Sequence, residues 1–321
     1  MSPALIGAVG MGVLLVLIAL RVPIAIAMAG VGIVGGAFIN GWTSLAFVLG
    51  SQPFATVFPY TLSVIPLFVM MGVFAAHAGL SRSLYQAIYS LIGHWRGGLA
   101  LATIGACALF GAICGSSLAT AATMARVAVP EMRRHGYDDR LSAGTLAAGG
   151  TLGILIPPSI IMVIYALLTE QSIGKLFLAG FLPGLVATVC YMVAAYLVAR
   201  YRPGSGPAGA RVPWRQRLIT LRGVAPVLAL IIVVMGGMYT GVFSPTEGAA
   251  VGSFGAFLLT WLSRRLTWRV FIDSLKETAG TTAMIFMIFI GTSILQYFIE
   301  TSTLPAQLND AIVQSGMSRY M

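Results

Sequence analysis

An apolar region between residues 97 and 168 is broken at two places where a membrane-spanning helix would normally continue. Its first part, residues 97–130, is too long for a single span of about 20 residues. It reads GGLALATIGACALFGAICGSSLATAATMARVAVP, and three small residues near its middle, Gly115, Ser116 and Ser117, favour a tight turn. The sequence therefore predicts a helical hairpin whose tip lies at these three residues.

The charges that flank this hairpin predict that it enters and leaves the membrane on the same side. Arg82 and Arg96 precede it, and Arg133, Arg134 and Arg140 follow it. Basic residues collect in the cytoplasmic loops of membrane proteins. Both ends of the hairpin are therefore expected in the cytoplasm, which makes the hairpin re-entrant.

The second break is at residues 153–159, within the stretch GGTLGILIPPS at 149–159. Pro157 and Pro158 lack an amide N–H and disfavour a helical conformation in the residue before them. Unpaired backbone groups at membrane depth are tolerated only where they are buried in protein or line a wet cavity, and there their carbonyls can coordinate a cation. The half-helix that starts near Ser159 presents a positive dipole end that suits an anion. Two successive breaks predict an ion and substrate site near the bilayer midplane.

Composition and charge restrict the class of protein. With 58% hydrophobic and 9% charged residues, the chain is expected to be an all-α polytopic membrane protein rather than a soluble domain. The net charge of +10 does not indicate a nucleic-acid partner, because the basic residues lie in short loops without interleaved aromatic residues. Of the 19 Lys and Arg residues, only Arg126, Lys175 and Arg319 fall outside the predicted cytoplasmic loops. This asymmetry predicts a periplasmic N-terminus.

A short internal similarity recurs at an offset of 222 residues. Pro23, Ala27 and Gly30 correspond to Pro245, Ala249 and Gly252. The first set is predicted at the cytoplasmic face and the second at the periplasmic face, as an inverted repeat requires. The same offset would place a second hairpin tip beyond Met321. The second repeat is therefore expected to be incomplete in this chain.

The predicted organisation follows from these features. Residues 81–96 place apolar side chains on one helical face with basic residues at the ends, which predicts an amphipathic helix in the cytoplasmic interface. The predicted segments are 1–80, scaffold spans; 81–96, an interfacial arm helix; 97–168, the hairpin and broken helix that form the transport element; 169–199, a returning span; 200–222, a cytoplasmic linker; and 223–321, the incomplete second repeat.

Four motifs carry a resemblance to a known family. They are CGSSLATAAT at 114–123, VPEM at 129–132, GGTLGILIPPSIIMVIYA at 149–166 and SPTEGAAVG at 244–252. Together they resemble the large membrane subunit of TRAP transporters, the DctM-like family, and the resemblance runs along the whole chain. The hairpin motif followed by GILIPPS is its most specific part.

The resemblance implies a function and partners. Such proteins are secondary transporters of the bacterial inner membrane, in which a sodium gradient drives uptake of an organic acid by an elevator-type motion. A periplasmic, DctP-like binding protein delivers the solute, and a small, DctQ-like membrane subunit packs alongside in the membrane lipid. The resemblance also implies one sodium site between the hairpin tip and the GTLGILIPP stretch.

The candidate residues for sodium and substrate binding are glycines, prolines and hydroxyl residues of the two breaks. They are Gly115, Ser116, Ser117, Gly150, Thr151, Gly153, Pro157, Pro158 and Ser159. Hydroxyl and carbonyl oxygens are hard ligands suited to sodium, and neither motif contains an acidic residue for a proton relay. A purely structural tight turn is the alternative interpretation of the hairpin tip.

Other polar residues predict less specific roles. Arg126 is a possible substrate contact, although an arginine near a helix end commonly extends to the interface. Glu247 is expected to cap a helix. The three His residues share no ligand spacing and the three Cys residues lie in apolar segments, so we expect no metal other than sodium, which would be the coupling ion, and no other cofactor.

Two functional alternatives remain at this point. A passive channel would also use broken helices and carbonyls, and another ion-coupled carrier of related fold would share the same breaks. An enzyme is not expected, because the sequence has no His cluster, no paired Asp motif and no Ser with a base nearby.

Overall fold

The computed structural model describes residues 2–202 and 204–314, and every regular element within these ranges is helical. The helices are α1 (Pro3–Ala19), α2 (Ile24–Val57), a short 3-10 helix (Tyr60–Ser63), α3 (Val64–His77), α4 (Leu80–Ile92), α5 (Gly98–Cys114), α6 (Ser117–Arg134), α7 (Asp139–Leu155), α8 (Ile160–Leu168), α9 (Ile173–Tyr201), α10 (Trp214–Arg222), α11 (Ala225–Tyr239), α12 (Pro245–Leu262), α13 (Trp268–Thr301) and α14 (Leu304–Gln314).

Several of these helices are long and apolar enough to cross a membrane. In the described ranges four segments qualify, namely Ile24–Val57, Tyr60–His77, Ile173–Tyr201 and Trp268–Thr301, and the number rises to 6 if each of two bent helix pairs counts as one span. One bent pair is α7 with α8, and the other is α10 with α11. The prediction of an all-α polytopic membrane protein is confirmed.

The helix ends follow local capping chemistry. Ser244 caps α12 in a capping box: its N–H donates to Glu247 Oε2 at 2.7 Å, and the Glu247 N–H donates to Ser244 Oγ at 3.3 Å. This confirms the capping role predicted for Glu247. Gly41, with φ +77°, interrupts α2 in a conformation that residues with a side chain rarely adopt.

The helices form two compact units, which we describe separately. In the first unit, α1 and α2 pack with the C-terminal part of α13 and with α14. Phe298 of α13 is fully buried there against Leu14 and Val31. A side chain at Gly32 would meet the backbone of Ile294 at 2.8 Å, so glycine allows α2 and α13 to approach closely.

The second unit contains residues 63–279 and includes the hairpin and the broken helix. Its α3 packs along α12. Thr260 Oγ1 of α12 donates to the Phe74 carbonyl of α3 at 2.9 Å, and a Cβ on Gly252 would lie 2.5 Å from Met71 Sδ. The close contact therefore again depends on a glycine.

The two crossings correspond to each other under the 222-residue offset. In the first unit a helix of the first half, α2, packs on a helix of the second half, α13; in the second unit α3 of the first half packs on α12 of the second half. Repeat-related prolines lie at the start of α2 and α12: Pro23 directly precedes α2, and Pro245 is the first residue of α12. Each unit is therefore built from both halves of the chain.

The predicted interfacial arm corresponds to α4, which ends at Ile92 rather than at residue 96. Gly93 follows, and Gly97 has φ +72°, so residues 93–97 form a turn before the hairpin. One face of α4 is buried, including Leu84 and Tyr85. The linker predicted at 200–222 contains the short helix α10, which has no buried residue.

Candidate functional site

The hairpin reverses direction within two residues. α5 ends at Cys114, and Gly115 has φ +63°, which a residue with a Cβ would adopt only with strain. Ser116 is extended, and its Oγ accepts a 3.4 Å hydrogen bond from the Ala119 N–H, which caps α6 from Ser117 onward. The predicted tip is thus the turn between α5 and α6, with Ser117 as the first helical residue.

The second break separates α7 from α8. α7 ends at Leu155, Ile156 and Ser159 are extended, and α8 is bent by 44° from α7. Ser159 Oγ donates to the Ile154 carbonyl at 2.7 Å and accepts from the Met162 N–H at 3.5 Å. Pro157 and Pro158 are buried between these caps and are joined by a cis peptide bond.

The hairpin tip contacts the break directly. The Ile160 N–H, the first of α8, donates to the Gly115 carbonyl at 3.4 Å. A Cβ built on Gly115 would lie 3.3 Å from the Pro158 carbonyl oxygen, and one on Gly153 would lie 2.9 Å from the Ser116 carbonyl oxygen. Backbone oxygens of each break therefore lie against the backbone of the other break at this junction, which we call the tip–break junction.

Glycines along α5 and α7 make this approach possible. A Cβ on Gly111 would lie 2.6 Å from the Gly153 Cα, and a Cβ on Gly150 would lie 3.2 Å from the Ser117 carbonyl oxygen. Both distances are too short for a side chain to be accommodated without movement. The tip–break junction brings together eight of the predicted residues, Gly115, Ser116, Ser117, Gly150, Gly153, Pro157, Pro158 and Ser159.

Two predicted residues lie away from this junction. Thr151 is exposed; its Oγ1 donates to the Ala148 carbonyl at 2.7 Å and lies 3.3 Å from Tyr191 Oη on α9. Helix periodicity explains this, because Gly150 and Gly153 share a face of α7 that Thr151 does not. Arg126 is exposed on α6, nine residues or roughly 13 Å of helix rise from the tip.

Sequence reasoning missed Thr120, which lies at the tip–break junction. Its side chain is fully buried, and its Oγ1 would be 2.7 Å from a Cβ on Gly153. The Cys114 thiol lies near enough to interact with this hydroxyl, but no oxygen or nitrogen of the described residues forms a hydrogen bond with it. A thiol is a weak hydrogen-bond partner, so the lone pairs of this buried hydroxyl remain available to a ligand such as an ion. The available signal was helix spacing, because Thr120 follows Ser116 by one turn.

The charges around the junction are sparse. Glu277, in the N-terminal part of α13, is an exposed carboxylate whose field reaches Cys114 at the end of α5. It lies outside the two motifs, so the sequence alone did not connect it with the tip. All three cysteines belong to apolar segments, but only two of them lie in the core: Cys107 and Cys114 are buried in α5, whereas Cys190 is exposed on α9.

The base of the hairpin is held by the linker that follows α9, at residues 204–209. The Gly97 N–H donates to the Gly206 carbonyl at 2.9 Å, and the Asp138 N–H donates to the Ser205 carbonyl at 3.0 Å. Both ends of the hairpin thus bind the same short stretch of chain.

Tyr137 completes this base. Its hydroxyl donates to the Pro207 carbonyl at 2.8 Å and accepts from the Leu99 N–H at 3.1 Å. Burial raises the pKa of Tyr137, and the Leu99 N–H opposes part of that shift. The phenol therefore stays protonated and able to donate at neutral pH.

Comparison with known proteins places the chain in a family. The model of the Tripartite ATP-independent periplasmic transporter, DctM component, matches residues 11–321. The chain belongs to this family. The predicted resemblance is confirmed, and so is the prediction that the chain is not an enzyme, because the family consists of transporter permease subunits.

Individual TRAP permease relatives give the same result. The chain is 39% identical over 274 residues to the C4-dicarboxylate TRAP transporter large permease protein DctM of Pseudomonas aeruginosa, covering 85% of this chain and 64% of the relative. It is 33% identical over 330 residues to the protein of the same name from Rhodobacter capsulatus, covering 97% of this chain and 73% of the relative.

A third relative carries a different substrate name. The chain is 35% identical over 253 residues to the sialic acid TRAP transporter large permease protein SiaM of Vibrio cholerae, covering 78% of this chain and 58% of the relative. The chain thus spans about 60–75% of the length of these relatives. Their names include more than one substrate class.

Proposed function

We propose that this chain forms the permease subunit of a sodium-coupled secondary transporter that takes up an organic acid across the bacterial inner membrane. The observation that carries the proposal is the tip–break junction, where two interrupted helices meet through glycines and present oxygens to each other. Family membership supports a transport role, and the junction suggests where coupling takes place.

The cation site of the proposal uses oxygens of the junction. The carbonyls of Ser116, Ser117 and Pro158 lie at the junction, and Thr120 Oγ1 is buried there beside the Cys114 thiol, with no oxygen or nitrogen partner among the described residues. Hard, uncharged oxygens of this kind suit sodium. Glu277 adds a negative charge at a distance and favours a cation near the tip.

The substrate end of the proposal uses two helix N-termini. α6 begins at Ser117 and α8 begins at Ile160, and the Ile160 N–H contacts Gly115 at the hairpin tip. Both helices therefore begin at the junction, and their positive dipole ends favour a carboxylate. C4-dicarboxylate and sialic acid in the names of relatives support an organic acid as the substrate class.

The proposed partners are a small, DctQ-like membrane subunit and a periplasmic, DctP-like binding protein. The tripartite, periplasmic description of the family supports them. A relative from Oleidesulfovibrio alaskensis, 34% identical over 294 residues, is named isethionate TRAP transporter permease protein DctMQ, which supports a membrane partner.

The proposed motion is of the elevator type. The hairpin and the broken helix would move together relative to the outer spans, because glycine contacts join α5 to α7 and because one linker holds both ends of the hairpin. A block with such internal contacts transmits displacement without rearranging its own site.

Transport by the full-length complex in proteoliposomes tests this proposal. Uptake of labelled solute is expected only with an inward sodium gradient and loaded binding protein, and collapse of that gradient should stop it. Uptake that continues without the gradient would overturn sodium coupling, and unitary currents in planar bilayers would support a channel instead.

A matched pair of variants locates the coupling site. Thr120→Val should raise the sodium concentration needed for half-maximal uptake about tenfold or more, because a ligand oxygen is lost. Thr145→Val is the control, since that buried hydroxyl donates to the Leu141 carbonyl of its own helix at 2.6 Å, ten residues before the break. Equal sodium dependence in the two variants would remove Thr120 from the proposed site.

A further inference from the structure

A pocket of about 540 Å³ opens between α4, α5 and α9, away from the tip–break junction. Its body is apolar and is lined by Ile92, Leu101, Met192 and Val193. This volume lies within the roughly 300–1,000 Å³ typical of sites for small ligands. Val193 is 50% exposed on the outside of α9, so the pocket opens toward the surroundings of this span.

The rim of the pocket differs from its body. Trp95, Arg96 and Tyr196 line it, and they lie near the α4–α5 turn and near the C-terminal end of α9. Helix spacing places Arg200 on the same face of α9 as Tyr196, one turn closer to the end of the helix. The rim thus combines two amphipathic aromatic side chains with Arg96, and Arg200 lies about one helical turn beyond it.

The arginines at and beside the rim have no ion-pair partner among the described residues. The ion pairs found in the described part of the chain are Arg133–Asp139, His135–Glu131 and Arg269–Asp273. Neither Arg96 nor Arg200 has a carboxylate partner there. The charge distribution predicts that this end of α9 lies at the cytoplasmic interface, where Trp and Tyr are also enriched.

We propose that this pocket is a specific site for a phospholipid with an anionic headgroup. An acyl chain lies against Met192, Val193 and Leu101, and the phosphate interacts with Arg96 and Arg200 at the rim. Basic pockets between membrane helices on the cytoplasmic side bind anionic headgroups for this reason. A neutral or purely apolar occupant would leave both arginines unpaired.

Native mass spectrometry of the full-length protein tests the proposal, with nanodiscs of equal parts phosphatidylglycerol and phosphatidylcholine as the lipid source. The protein should retain phosphatidylglycerol in preference to phosphatidylcholine. Arg96→Gln should reduce this preference about fivefold, and the addition of Arg200→Gln should reduce it about fivefold more, as expected from ~1 kcal/mol of attraction for each basic residue near an anionic surface.

Three further variants separate the pocket from general surface charge. Arg215→Gln removes a charge from α10, outside the pocket, and should leave the preference unchanged. Arg96→Lys keeps the positive charge and should retain most of the preference for phosphatidylglycerol. Val193→Trp fills the pocket and should reduce retention of both lipids while the protein stays monodisperse. Equal retention of the two lipids by the unmodified protein, or an unchanged preference in the double glutamine variant, would overturn the proposal.

Photocrosslinking tests whether a protein, rather than a lipid, occupies the pocket. A photoreactive amino acid at position 193 in the complete complex should crosslink to lipid. Crosslinking to the small membrane subunit instead would overturn the lipid site, because the pocket would then be a protein interface.

Discussion

The two ends of the hairpin are held by different kinds of contact. At the base, Tyr137 and the backbone of residues 204–209 form hydrogen bonds at 2.8–3.1 Å, and each named donor has an acceptor. At the tip, approach depends on glycines, backbone oxygens of each break lie against the other break, and the hydroxyl of Thr120 has the Cys114 thiol beside it but no described oxygen or nitrogen partner. Satisfied polar groups stabilise a structure, whereas buried unsatisfied oxygens suit a ligand. The base is thus structural, and the tip is the part suited to binding.

The largest effect is expected from filling the tip. Gly153→Ala places a Cβ at 2.7 Å from Thr120 Oγ1 and 2.9 Å from the Ser116 carbonyl oxygen. Overpacking of this kind costs about 1–3 kcal/mol, and it displaces the oxygens of the site. We expect at least a tenfold loss of solute uptake in proteoliposomes and a lower unfolding temperature.

Gly144→Ala is the matched control for this prediction. Gly144 is on the same helix, and a Cβ there would have nothing within 4 Å. Replacing an unhindered helical glycine by alanine should stabilise the protein by about 0.5–1 kcal/mol. Equal loss of uptake in the two variants would show that the close approach at Gly153 is not needed.

The next effect concerns ligand-dependent stability at the tip. Thr120→Val removes a buried hydroxyl that has only the weakly bonding Cys114 thiol beside it and no described oxygen or nitrogen partner, so the unfolding temperature without sodium should stay the same or rise slightly. Sodium should stabilise the unmodified protein by mass action and should do so much less in this variant. Thermal unfolding in sodium chloride against choline chloride measures both values. An undiminished sodium response in the variant would contradict the tip as the binding end.

At the base we expect the reverse of the Thr120→Val result: a loss of stability, with no change in the response to sodium. Tyr137→Phe removes the hydrogen bonds with Pro207 and Leu99, which should cost about 1–2 kcal/mol. Faster amide hydrogen exchange is expected at Leu99, Gly97 and Asp138, which donate to this base, with no change in the sodium response. If exchange at these amides stays slow, the linker is held by other contacts.

The smallest effect is a pH dependence of the base. The pKa of Tyr137 is raised on folding, so the folded state holds the phenol proton more tightly than the unfolded state. The contribution of the protonated Tyr137 to the free energy of unfolding is fully present below the pKa of about 10 that tyrosine has in the unfolded chain. This contribution is lost as the pH rises through the pKa of the folded state. The stability difference between the unmodified protein and Tyr137→Phe should therefore shrink above about pH 10. A constant difference up to pH 11 would contradict this assignment.

The sequence predicted the tip and the break because both depend on local chemistry. Gly115 at φ +63° and two consecutive prolines interrupt helices for reasons visible in the residues themselves. Thr120 was missed and Thr151 was included, because the motif shows neighbours along the chain but not which helical face meets the hairpin. A face can be assigned only after the partner helix is known.

The docking of residues 204–209 could not be predicted for another reason. Its contacts with Gly97 and Asp138 are made by backbone carbonyls, and the side chains of this stretch show no hydrophobic period. The end of α4 at Ile92 was not predicted either. Gly93 and Gly97 follow that residue, but helix propensity alone does not show at which glycine a helix ends. Hydrophobic patterning identifies membrane helices well, whereas backbone pairing between loops leaves no such pattern.

The pairing of α3 with α12 has a consequence for biosynthesis. Thr260 and Phe74 are 186 residues apart, and at roughly 5–20 residues per second the ribosome needs on the order of ten to forty seconds to make the intervening chain. The face of α3 that carries Phe68, Met71 and Phe74 is buried in the folded protein. Until α12 is inserted, this face contacts lipid or a chaperone instead. The time needed to translate the chain between these two helices is therefore the shortest time for which this face of α3 lacks its partner.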